Sequence, residues 1–290
     1  MLLAMKLKLA VMAGALAAPL VAATLATGPA IPKDPNIAEL SSADFHYRAA
    51  GDFSRMGKPV EAPLHEARLS ASLIIMKSLV TAADYARCID AGACPNVPLP
   101  QGRRDVPITG VNWHDASAYA AWLTRKTGMT HRLPSDEEWV FAAAEKAQDE
   151  ALPVIDPVDP AQAWIARYEA EAARAGAEGN AVPQPIGSFG RNSNGLLDVA
   201  GNVWEWTSSC YIRTALDIEG HPRAATTNCG VRVVEGAHRT YMTDFIRDPR
   251  TGGCASGVPP ANLGFRLVIE KRSFRVLGVM DSVVRALGPS

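Results

Sequence analysis

Charge of one sign is what this chain most visibly lacks. Its 29 Lys and Arg stand against 30 Asp and Glu, a formal net charge of −1. No global field favours nucleic acid or an anionic membrane, and no basic patch interleaved with aromatics occurs, which argues against a nucleic-acid partner. The familiar catalytic motifs are missing as well. There is no Gly-x-Ser-x-Gly, no Gly-rich phosphate loop and no His-Glu-x-x-His. No Cys-x-x-Cys occurs, so neither a zinc ribbon nor a thioredoxin-type redox motif is supported. Internal repeats and low-complexity tracts are absent.

What is present points to a soluble globular body behind a targeting segment. Hydrophobic residues make up 48% and charged residues 20% of 290 positions, which fits an ordinary globular domain. Residues 1–26 read as a signal peptide or N-terminal anchor: Lys6 and Lys8 precede an uncharged run from Leu9 to Leu25, and small residues at Ala22, Ala23 and Ala26 suit cleavage. An uncleaved anchor is the alternative, because the run approaches the short end of a membrane span. Either way the chain is expected to be exported, periplasmic or otherwise outside the cytosol. Five cysteines in an exported chain read as disulfide chemistry. Cys88 and Cys94, separated by a helix end and a Gly turn, are expected to bridge. Two of Cys210, Cys229 and Cys254 are expected to pair, with the choice open.

Along the chain, residues 27–45 carry Gly28-Pro29 and Pro32-Lys33-Asp34-Pro35 and read as a linker. A strand and turn are expected from Gly51 to Pro63, and a buried strand between Leu69 and Val80. Three helices follow. The first is capped by Thr81 with Asp84 as its acidic partner and runs through Ala91. The second begins near His114-Asp115 and ends before Gly128, and the third opens on Ser135-Asp136-Glu137-Glu138. Trp113, Trp122 and Trp139 read as core. Ala161 to Ala175 reads as a solvated amphipathic helix. Thr207 to Cys229 shows little periodicity; Val231–Val234 and Leu263–Glu270 read as short strands. Residues 271–290 form a basic amphipathic pattern, with Phe274, Leu277, Met280, Val284 and Leu287 on one face. That helix docks on the domain or touches a membrane surface, so membrane association is open at both termini.

The densest stretch is Asn192 to Trp206. Gly195 and Gly201 allow tight turns. Asp198 and Glu205 place two hard oxygen donors on chain that folds back on itself, as a Ca²⁺ ion requires. A Trp-anchored core turn with solvated carboxylates is the plainer reading. The same stretch, Gly195-Leu196-x-Asp198-x-x-Gly201-Asn202-Val203-Trp204-Glu205-Trp206, resembles the signature of the sulfatase-modifying-factor family, the formylglycine-generating enzymes and their relatives. Three further pieces stand in the family's order: Val111 to Tyr119, Arg132 to Trp139, and Asn262-Leu263-Gly264-Phe265-Arg266.

That resemblance implies a sulfatase-modifying-factor-like domain over residues 46–270. Its fold would be α+β: a compact, irregular, C-type-lectin-like body with few short strands and helices. By resemblance a structural Ca²⁺ would take side-chain oxygens of Asp198 and Glu205 and backbone carbonyls of Gly201 and Val203. Catalytic members resemble one another in a copper(I)-binding cysteine pair flanking a His-Arg-Ser-Tyr run. The corresponding run here is His238-Arg239-Thr240-Tyr241, and its flanks are Ala237 and Met242. Ala cannot ligate a metal and a thioether cannot become a thiolate, so formylglycine generation is not expected. His238 and Met242 would form a soft copper pair only on a helix, and copper or iron is not expected. Glu235, His238, Arg239, Tyr241 and Met242 are instead expected to line a polar binding cleft, with Arg239, Arg247 and Arg250 as candidate grips for a carboxylate. The implied role is an exported maturation or accessory factor acting on a periplasmic peptide or protein. A non-catalytic binding module, or an oxidase with an unfamiliar metal site, are the alternatives.

Overall fold

The computed structural model describes residues 34–100, 102–148 and 182–249, residues 262–270, and positions 165 and 169. The expected targeting segment, the helix expected over Ala161–Ala175 apart from positions 165 and 169, Arg250, Cys254 and the C-terminal amphipathic pattern lie outside the described residues.

Two sheets carry the body. The first has the order β1–β6–β12–β7, built from β1 (Ile37–Leu40), β6 (Leu73–Met76), β12 (Val268–Glu270) and β7 (Thr130–Arg132). All four residues of β6 are buried, as expected of a run rich in branched apolar side chains. The second follows β10 (Thr240–Thr243), β9 (Pro222–Glu235), β8 (Trp204–Leu216), β3 (Asp52–Arg55) and β4 (Lys58–Val60), with β11 (Leu263–Gly264) parallel to β8. A separate pair joins β2 (Asp44–Arg48) to β5 (Leu64–Arg68). Pairing of β1 with β6 across Ile37↔Met76 corrects the linker expected over residues 27–45, since its second half is sheet. Apolar Ile37, Ala38 and Leu40 give those residues something to bury, which the prolines before them do not.

The three helices form where their caps predict. α1 (Ala82–Asp90) carries a complete Thr81/Asp84 capping box. α2 (Trp113–Thr127) has one from Asn112 and Asp115 and ends at Gly128, whose φ of 74° is a left-handed C-cap. α3 (Asp136–Ala143) uses Ser135 and Glu138. Each box satisfies two otherwise orphaned N–H groups at a helix start. Among the described residues no helix is long and apolar enough to cross a membrane.

The expectation of short strands fails at β8 and β9, which are 13 and 14 residues long. Residues 221–230 are exposed along their whole length. A strand with no buried face has no apolar alternation to display, so this half of the hairpin is silent in the sequence. The main core lies between α1, α2 and the base of that hairpin. Tyr85, Tyr119, Trp206, Phe265 and Met242 meet there. Tyr85 and Tyr119 stack with ring centroids 5.9 Å apart, and Tyr119 meets Phe265 edge-on at 5.5 Å. Trp139 sits in a second cluster under α3 with Leu196 and Val199. The chain is thus a compact α+β fold.

The expected Cys88–Cys94 bridge forms, and of the pairings left open the structure has Cys210 joined to Cys229.

Candidate functional site

The turn from β9 into β10 is where the metal-binding cysteine pair would stand. β10 pairs antiparallel with the end of β9, Thr240 opposite Val234 and Met242 opposite Arg232. The intervening residues fold tightly because position 236 is glycine. A Cβ there would come within 2.4 Å of the Trp204 ring. The indole therefore lies directly against the turn backbone, and His238 packs edge-on against it at 5.5 Å. Trp204 Nε1 is buried with no hydrogen-bond partner among the described residues. Ala237 packs on the edge of the main core, and Met242 lies inside it at 1% exposure. Met242 belongs to a strand and His238 to the turn before it, so the two are not neighbours on a helix.

The five residues expected to line a polar cleft are brought together, but as a packed cluster. Glu235, His238 and Met242 are buried. Arg239 is the hub. Its Nε donates to Glu235 at 2.6 Å, Nη2 stands 3.1 Å from Asp136, and Nη1 donates to the Arg48 carbonyl at 2.8 Å. Tyr47 donates its hydroxyl to the same Asp136. The Tyr241 hydroxyl accepts the Gly51 N–H at 2.7 Å. Gly51 is obligatory: its φ is +114° and an added Cβ would fall 2.1 Å from the Ile212 carbonyl oxygen. Burial raises the Glu235 carboxyl well above the usual carboxylate range. Arg239 pulls it back down, and Asp136 pushes it up again both by charge and by hydrogen bonding. Burial likewise raises the Tyr47 and Tyr241 hydroxyls, so both stay neutral. Arg239 is therefore not free to grip a ligand. Asp136, Tyr47 and Gly51 escaped sequence reasoning because they come from α3, β2 and the loop after it, far away along the chain.

A more open polar surface adjoins the turn. The loop after β10 is fastened to the start of α2: the Trp113 N–H donates to the Asp244 carbonyl at 3.0 Å and Asn112 Nδ2 to the Phe245 carbonyl at 3.2 Å. Arg247 pairs with both oxygens of Asp115, at 2.7 and 2.9 Å. His114 meets Asp244 at 3.2 Å. The Arg232 guanidinium lies 3.8 Å over the Trp113 ring. On this fixed loop Phe245 is 65% exposed. Of the three arginines considered as grips, Arg247 is half-exposed but already holds Asp115.

The residues expected to hold calcium are differently employed. The Asp198 carboxylate accepts the Gly187 and Phe189 N–H groups at 2.6 and 2.8 Å. Both Glu205 oxygens accept from Arg266, at 2.6 and 2.7 Å, with both side chains wholly buried. Each carboxylate thus has its own partners, and Glu205 already has its counter-charge. Among the described residues no group of three or more His, Cys, Asp or Glu side chains converges as a metal site. In the turn itself Gly195 takes the left-handed conformation as expected, at φ 78°, but Asp198 and Ala200, both at φ 58°, do so as well. Gly201 is needed for space instead, since a Cβ would lie 2.7 Å from Phe189.

Residues 37–271 match the sulfatase-modifying factor enzyme 1-like domain. The inactive C-alpha-formylglycine-generating enzyme 2 of Mus musculus is 33% identical over 168 residues, covering 56% of this chain and 48% of that protein. The formylglycine-generating enzyme of Streptomyces coelicolor is 30% identical over 173 residues, covering 57% and 53%. The chain thus spans about half the length of these curated relatives. Among solved structures, PvdO from Pseudomonas aeruginosa superposes with a TM-score of 0.52 at 22% identity, over 81% of this chain and 94% of that one, and supports the fold alone.

Proposed function

Because this chain belongs to the sulfatase-modifying factor family, we propose that it is an accessory or maturation factor that binds a peptide or protein partner and does not itself generate formylglycine. One observation carries the reading. The positions on either side of His238–Tyr241 hold Ala237 and Met242, and Met242 is buried on β10. No thiolate can form at either position, so the soft anionic ligands that copper(I) chemistry needs are missing. A relative described as inactive supports the reading. The partner surface is the fixed loop beside the turn, where exposed Phe245 stands next to His114 and Arg247. An exposed aromatic held on a rigid loop gives up little entropy on binding and makes a good anchor. The Lys-flanked uncharged run in residues 1–26 supports a periplasmic or otherwise exported protein, which fractionation of cells producing the full chain would check.

The test is direct. The purified chain is incubated with a cysteine-containing sulfatase-type peptide, copper and oxygen, and the peptide is followed by mass spectrometry. The peptide is expected to remain unchanged. Conversion above the copper-only background would overturn the reading.

A further inference from the structure

We propose that the Cys210–Cys229 bridge is an exchangeable disulfide, a site where the protein accepts two electrons from an exposed dithiol. This inference goes beyond the accessory role and does not depend on the missing cysteine pair. It rests on how the two cysteines are placed and on the side chain beside them.

Across the β8–β9 ladder Tyr211 faces Asn228, but Cys210, its neighbour, faces Arg232. Residues 229–231 therefore bulge out of the ladder, and Cys229 sits on that bulge. Cys229 is exposed, as is all of the chain from residue 221 to 230, whereas Cys210 is half-buried. An incoming thiolate thus meets the sulfur of Cys229 first. The sulfur it would expel is placed beside a cation. Arg232 Nη1 donates to Cys210 Sγ at 3.2 Å and to the Ser208 carbonyl at 2.9 Å. The guanidinium is pinned against Trp113 at 3.8 Å, and its Nε is buried with no partner. Asp244 is the charged neighbour of this arginine from the β10 side. A guanidinium held against one sulfur stabilises the thiolate there, and a better leaving thiolate speeds exchange.

One thiolate of a dithiol attacks Cys229 Sγ, forming a new S–S bond as the Cys210–Cys229 bond breaks. The electron pair leaves on Cys210 as a thiolate beside Arg232. The second thiol of the dithiol, deprotonated by water, then attacks its own sulfur in the mixed disulfide. Cys229 departs as a thiolate and takes up a proton. The dithiol ends oxidised to a disulfide and the protein pair reduced. The molecule contains its own control, because Cys88 and Cys94 are 0% and 9% exposed within the main core.

The experiment uses the full chain. After brief exposure to millimolar glutathione and acid quenching, peptide mapping is expected to show glutathione on Cys229, a free thiol at Cys210, and Cys88–Cys94 intact. With dithiothreitol, Arg232→Met is expected to slow opening of this bridge about tenfold if the guanidinium lowers the leaving thiol's pKa. An adduct on Cys210, equal resistance of the two bridges, or an unchanged rate in folded Arg232→Met would overturn the proposal. Should that variant fail to fold, the position of the glutathione adduct in the natural chain decides alone.

Discussion

Two arginines in this protein, Arg266 wholly buried and Arg239 largely so, do opposite jobs. Arg266 meets Glu205 as one cation with one anion, fork to fork, and its remaining N–H groups reach the carbonyls of Lys77 and Leu197. Arg239 faces two acids, Glu235 and Asp136, and Asp136 Oδ1 has no hydrogen-bond partner. The first cluster closes in charge and in hydrogen bonds. The second closes in neither unless Glu235 keeps its proton, which would then satisfy Asp136. The raised affinity of Glu235 for that proton is consistent with this. A closed pair is a fixture, whereas an odd cluster is sensitive to pH, because burial makes an uncompensated charge expensive.

The largest effect is expected from breaking the closed pair. Arg266→Met leaves the Glu205 carboxylate buried without its cation and should cost about 3–5 kcal/mol of stability, read as the denaturant midpoint of the folded chain. A loss below about 1 kcal/mol would mean that the pair is not as desolvated as its burial indicates. The odd cluster should respond in the opposite sense. A carboxyl whose folded pKa is raised favours folding below its unfolded pKa and loses that contribution as pH rises toward the folded value. Glu235→Gln keeps a donor toward Asp136 without the charge. It should raise the melting temperature by about 2–4 °C at pH 8, a gain of about 1 kcal/mol for a domain of this size. Below about pH 4, where Glu235 is neutral in both states, the difference should vanish. A variant less stable than the parent at pH 8 would show that Glu235 is ionised in the cluster. Tyr47→Phe removes one donor from Asp136 and should cost about 1–2 kcal/mol, measured in the same way. Calcium gives the smallest expected effect. With Glu205 held by Arg266 and Asp198 by two N–H groups, a chelator should move the melting temperature by less than about 1 °C. A rise that tracks calcium concentration, as mass action requires of a bound ion, would restore the calcium site.

The comparison also shows what a linear sequence displays. Capping boxes at Thr81 and Ser135 lie within four residues and were readable, as were the turn after Cys88 and the buried run ending at Met76. The family motifs were readable too, because Asn192 to Trp206 and Asn262 to Arg266 are contiguous strings. The clusters those strings build were not. Arg266 finds Glu205 across 61 residues, and Arg239 reaches Arg48 across 191. Nothing local to Glu205 distinguishes a carboxylate awaiting a metal from one already facing a guanidinium, which is why the calcium expectation and the observed pairing part company. The packing of the residues expected to line a cleft was hidden for a related reason. Glu235 and Arg239 are polar and close in sequence, but charge pairing allows polar side chains to be packed together rather than displayed.

The proposed function requires that this member of the family keep the fold without the copper centre. A titration of the full chain with copper(I) against a competing chelator tests it most directly. With Ala237 and Met242 in place of thiolates, the chain is expected to retain no copper(I) once the chelator is in excess. Retention of one equivalent, lost on substitution of His238 or Met242, would contradict the account.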